Sequence, residues 1–131
     1  MLTKGEHIEY WKQAAANDWY VVETLFQNAR YPYALFFAHL VLEKLLKAHY
    51  VKDNELDFPP KTHNLIRLAT QTKLVFHQDE LLLLDKMNDF QMEGRYPDYR
   101  FLIFKICDRP YTEDLLQKVE KIKQWLLNQL P

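Results

Sequence analysis

Three side chains in the stretch AHLVLEKLLKAHY, from Ala38 to Tyr50, have types and spacing that could do chemistry: His39, Glu43 and Lys47. Residues four apart on a helix stack on one face, so the three point the same way. An imidazole, a carboxylate and an ammonium in one stripe suit metal ligation, proton transfer or a buried ion-pair network. Almost everything else between Pro32 and Tyr50 is apolar, including Phe36, Phe37, Leu40, Val41, Leu42, Leu45 and Leu46. A helix that is hydrophobic nearly all round belongs in the middle of a domain, where an unpaired charge is costly. The stripe therefore demands partners. Two further local signals stand out: the loop-to-helix run Thr62-His63-Asn64-Leu65, and GRYPDY from Gly94 to Tyr99.

Several chemistries are excluded. The chain contains no serine, so serine nucleophiles and their triads are absent. Cys107, the single cysteine, follows an apolar run and reads as a buried small hydrophobe rather than a nucleophile. Two separated glycines cannot build a phosphate-cradling loop. A di-iron bundle needs Glu-x-x-His pairs, and none occurs; His39 and Glu43 lack a third ligand, and no HExxH pattern exists. No metal and no cofactor are expected.

The elements that must position these residues follow from composition and periodicity. At 131 residues, with 48% hydrophobic and 15% aromatic content, the chain is expected to form one domain, residues 1–131, with a substantial core. A formal net charge of −1 gives no basic footprint for nucleic acid, so RNA binding has no support from charge. A lone cysteine, no signal-type apolar run, and no membrane-length apolar stretch point to a cytoplasmic protein away from membranes. The spacing of Ile8, Trp11, Ala15, Val22, Leu25 and Ala29 predicts a first helix over Gly5–Asn28, with Asp18 on the same face. Pro32 opens a second, to Val51, and a polar connection follows through Pro59-Pro60. Thr62 caps a short third helix to Gln71, and a fourth runs Gln78–Glu93 and stops at Gly94. RYPDYRFLIFKICDRP, Arg95–Pro110, reads as an irregular crossing segment or short hairpin, before a last helix capped by Thr112. The sum is an all-α, antiparallel up-and-down bundle of four long helices plus one short one.

The order and spacing of these pieces resemble a known family. A tyrosine-led helix ending in EKLLKA, then PPKTHNLIRLA, then GRYPD after a further helix is similar to the HEPN (higher eukaryotes and prokaryotes nucleotide-binding) domain, in the branch that carries RYPD. Trp11 and Asp18 on the first helix fit as well, so the resemblance spans nearly the whole chain. One departure is Leu40, where the family often has glutamine after the helix histidine. The resemblance implies an antiparallel helical bundle that forms a homodimer and accompanies a minimal nucleotidyltransferase, in a prokaryotic toxin–antitoxin-like pair. Many members are RNA-cleaving toxins that use an arginine followed, after four to six residues, by a histidine. None of Arg30, Arg67, Arg95, Arg100 and Arg109 has a histidine at that distance downstream. After Arg95 the chain offers Tyr96, Asp98 and Tyr99 instead. The enzyme reading loses its two central residues together, and no catalytic residue is assigned.

The three local signals are expected to form one site. Arg95 can set a planar guanidinium against Asp98, Glu43 or a phosphate. Lys47 and His63 would add positive charge for an anionic ligand, and Tyr31, Tyr96 and Tyr99 would stack on a base. The expected site is thus a ligand cleft or polar seam of His39, Glu43, Lys47, His63, Arg95, Tyr96, Asp98 and Tyr99. Its structural alternative has Asp18, Glu43, Lys47, Arg95 and Asp98 satisfying one another; in either case His7, His49 and His77 are expected at the surface. The leading expectation is a homodimeric binding module for a nucleotide, a nucleotidyltransferase partner or both. The alternatives are a ribonuclease toxin with a non-standard site using Arg95, Tyr99 and a neighbouring histidine, or a purely structural dimerising bundle.

Overall fold

A computed structural model describes residues Met1–Pro131 and is entirely helical. Six helices follow in order: α1 Lys4–Gln27, α2 Tyr31–Asp53, α3 Leu65–Ala69, α4 Gln78–Met87, α5 Pro97–Ile106 and α6 Arg109–Asn128, with a 3-10 turn at Asn88–Phe90. The all-α bundle expected from periodicity is present. Its long helices are three, α1, α2 and α6, rather than four.

α1 starts in a capping box, in which Thr3 accepts from the Glu6 N–H and Glu6 returns to the Thr3 N–H. It ends with Ala29 at φ 59°, where the Arg30 N–H reaches Leu25 O at 2.8 Å and the Ala29 N–H reaches Phe26 O at 3.1 Å. That pair of bonds satisfies the orphan carbonyls of α1 and reverses the chain directly into α2. The two helices pack as a hairpin. At its far end Lys4 Nζ donates to Val51 O, Asn54 O and Asp57 Oδ1, closing the C-terminus of α2, where a cation is favoured.

α2 is the axis of the molecule. Twelve of its residues are buried, among them Leu35, Leu42, Leu45 and Leu46, and all four lie in the main hydrophobic cluster. That cluster also takes Val22 from α1, Leu65 and Leu68 from α3, Leu84 and Met87 from α4, Ile103 from α5, and Val119 and Leu126 from α6. No helix is long and apolar enough to cross a membrane.

Four local expectations are corrected. Arg95–Pro110 is not irregular: it contains the ten-residue helix α5, started by Pro97 in its first turn. α4 ends at Met87, not Glu93, because Asn88 turns its side chain to the α3 N-terminus and the chain dives inward to bury Phe90 and Met92. Asn64, not Thr62, caps α3, its Oδ1 accepting from the Arg67 N–H at 3.1 Å, while Thr62 Oγ1 accepts from the Asn64 N–H. Asp108, not Thr112, caps α6, with Pro110 in the first turn and Thr112 inside the helix and fully buried.

Candidate functional site

The buried stripe on α2 meets the loop that leads into α3. His39 is fully buried, and its Nε2 donates to the His63 carbonyl at 2.8 Å. A carbonyl only accepts, so this bond places the ring proton on Nε2 and leaves Nδ1 as a buried lone pair with no hydrogen-bond partner. Burial pushes the His39 pKa down, against the opposing pull of the Glu43 charge, whose Oε1 lies 3.9 Å from Nδ1.

Glu43, one turn further on, is 4% exposed and has both oxygens engaged. Oε1 accepts from His63 Nδ1 at 2.9 Å and Oε2 from Lys47 Nζ at 3.0 Å. Lys47 Nζ also sits 5.3 Å from the Trp11 ring centroid, where the ring face attracts the cation. The half-exposed His63 ring extends the chain outward, with Nε2 3.3 Å from Glu93 Oε2. Lys47, Glu43, His63 and Glu93 thus form one alternating line of charges and imidazole from the interior to the surface. Glu93 was not among the residues expected there.

GRYPDY begins immediately after Glu93. Gly94 takes φ 72°, a left-handed turn that a side chain would strain. Arg95 then folds back: Nε donates to Gln91 O at 3.2 Å, and the guanidinium carbon lies 4.3 Å over the Tyr99 ring. The Tyr99 hydroxyl donates to Asp89 O at 2.6 Å, and burial raises its pKa. Arg95 pairs with neither Asp98 nor Glu43, contrary to both expected ion pairs, because its guanidinium rests over the Tyr99 ring and its Nε donates to backbone. Tyr99 has one ring face occupied by that guanidinium, whereas Tyr96 is 83% exposed. Asp98 lies exposed in the first turn of α5. Asp18 belongs to neither group, since it accepts from Lys44 at 2.5 Å.

The eight expected residues therefore divide into three sets. His39, Glu43, Lys47 and His63 form one linked group, and Arg95 and Tyr99 form a second. Tyr96 and Asp98 stand open beside it. No three His, Cys, Asp or Glu side chains converge on a point that would hold a metal ion. Asn64 and Asn88 complete the support: Asn88 Oδ1 accepts from the Leu65 N–H at 2.9 Å, and Asn88 Nδ2 donates to Asn64 Oδ1 at 3.3 Å. The cap could have been found from sequence, because Asn64 directly precedes the apolar LIRLA run.

One other residue differs from expectation, and one agrees with it. His49 is fully buried rather than at the surface, and its Nε2 donates to Leu126 O at 2.8 Å, tying α2 to α6. Cys107 is buried, which raises its thiol pKa to about 11 and makes it a weak nucleophile. A groove of about 650 Å³, lined by none of the eight residues, lies between α4 and α6, with Leu83, Lys86, Leu115, Lys121, Ile122 and Trp125 among its walls.

No curated protein and no solved structure matches the chain significantly. The family model of the HEPN domain matches residues 8–130, which takes in α2, the His63 loop and the GRYPDY turn. The chain belongs to the HEPN domain family.

Proposed function

We propose that the chain is a binding module of the HEPN type, acting as a homodimer, that takes a nucleotide at Arg95 and Tyr96. The observation that carries this reading is the state of Arg95. Its guanidinium carbon lies 4.3 Å over the Tyr99 ring with only Nε spent on backbone, and no carboxylate pairs with it. The two terminal amino groups form a preset fork for a phosphate, and planar bidentate recognition is what arginine does best. Tyr96, 83% exposed at the next position, supplies a free ring for a base.

His39, Glu43, Lys47 and His63 hold the site in this reading rather than contact the ligand. His63 sits between Glu43 and Glu93, at 2.9 and 3.3 Å, and two carboxylates repel a phosphate. The same placement argues for binding over RNA cleavage, since the histidine nearest Arg95 along this line has both ring nitrogens turned to carboxylates. A minimal nucleotidyltransferase, whose own nucleotide would reach the Arg95 fork, is the partner that fits the module, in a cytoplasmic toxin–antitoxin-like pair.

Isothermal titration of the purified protein with ATP and GTP tests the proposal. Saturable heat that falls at least about tenfold in affinity in Arg95→Ala supports it. Cleavage of total RNA that disappears in Arg95→Ala would replace it with the ribonuclease alternative.

A further inference from the structure

The outward face of α5 is apolar and has no partner. Only Ile103 of this helix is buried, while Phe101, Leu102, Phe104 and Ile106 are 62%, 57%, 43% and 40% exposed. Tyr33, near the start of α2, is also exposed and packs edge-on against Phe104 with ring centroids 5.5 Å apart, widening the patch. Contiguous apolar surface of this kind marks an interaction site.

The charges on the same helix say which partner fits. Asp98, Phe101, Leu102 and Lys105 stand at i, i+3, i+4 and i+7, so they form one stripe along α5. The stripe is negative at its first end, positive at its last, and apolar between. Neither charge has a carboxylate or ammonium partner within the chain; Lys105 Nζ rests only on the Phe101 ring, 4.6 Å from its centroid. A surface with this pattern is complementary to itself when rotated by half a turn. Two α5 helices laid antiparallel across a two-fold axis set Asp98 of each copy against Lys105 of the other, with Phe101 and Leu102 packed at the centre. A parallel arrangement would set like charge against like.

We infer that α5 is the contact face between two copies of this chain, paired antiparallel through Asp98–Lys105 contacts that each occur twice. The inference rests on the homodimer named above and assigns its surface and geometry.

Charge reversal tests it, read by size-exclusion with light scattering across a range of concentrations. Asp98→Lys and Lys105→Glu alone each create two like-charged contacts and lower self-association by at least about tenfold. Mixed in equal amounts, the two variants restore the dimer as a heterodimer, because Lys at 98 then meets Glu at 105 and Lys105 meets Asp98. The protein carrying both changes dimerises like the parent, which also shows that neither change harms folding. Single variants that dimerise as tightly as the parent would overturn the α5 face and leave the homodimer standing. Weakened singles that fail to recover on mixing would overturn the antiparallel pairing. A parent that stays monomeric throughout would overturn both the homodimer and this interface.

Discussion

Glu43 and His63, twenty positions apart in the chain, are joined by a 2.9 Å hydrogen bond from Nδ1 to Oε1. One turn earlier on the same helix, His39 holds the backbone carbonyl of that same His63. The i, i+4 spacing is thereby explained: adjacent turns of α2 grip one loop residue twice, by main chain and by side chain. The grip fixes the entry to α3, and it leaves His63 Nε2 3.3 Å from Glu93 Oε2, two positions before Arg95.

Removing the carboxylate should cost stability. Glu43→Ala leaves Lys47 and His63 without their shared acceptor in a region where Glu43 itself is 4% exposed, and breaking such a buried pair costs about 3 kcal/mol. Glu43→Gln keeps the shape and one acceptor oxygen, and should cost about half as much. Urea unfolding followed by circular dichroism checks the order; equal stability of Glu43→Ala and the parent would remove the seam's structural role.

Acid should weaken the fold through two histidines. Burial depresses the pKa of both His39 and His49 below the ordinary value of 6.5. Below about pH 6.5 the unfolded chain therefore takes up protons that the folded chain refuses, so stability falls as pH falls. The contribution is intact above the unfolded pKa, and each ring removes up to about 1.4 kcal/mol per pH unit between its unfolded and folded pKa values. Denaturation at pH 7.5, 6.5 and 5.5 should show a steeper decline in the parent than in His49→Gln, which keeps a donor for Leu126 O but does not titrate.

A buried hydroxyl offers a gain. Thr112 is fully buried on α6, and its Oγ1 has no hydrogen-bond partner. Thr112→Val preserves the branched shape and removes the unsatisfied group, which should stabilise the protein by about 1 kcal/mol. A lower thermal midpoint in Thr112→Val would mean that the hydroxyl is satisfied in solution.

The long helices were legible because their apolar residues recur with the helical period, as at Ile8, Ala15 and Val22 or at Leu115, Val119, Ile122 and Leu126. α5 was not, because it is apolar on two sides: Ile103 faces the core, and Phe101, Leu102 and Phe104 face outward, so no single stripe appears. The caps were misplaced where two capping residues compete within a few positions, Thr62 with Asn64 and Asp108 with Thr112. His49 was misread because its partner, Leu126 O, is a backbone atom 77 positions away and leaves no trace in side-chain pattern. The demand of the α2 stripe for a partner was readable from burial alone. That Glu93 carries the line outward was not, since an exposed glutamate in a loop looks like any other.

The division of the candidate residues into a supporting seam and an open Arg95–Tyr96 surface is tested most directly by amide chemical-shift mapping with added ATP. The account predicts perturbations centred on Gly94 to Asp98 and reaching His63, with the buried stripe of α2 little changed and no response in Arg95→Ala. Shifts centred instead on Lys86, Lys118, Lys121 and Trp125, in the groove between α4 and α6, or no shifts at all, would contradict it.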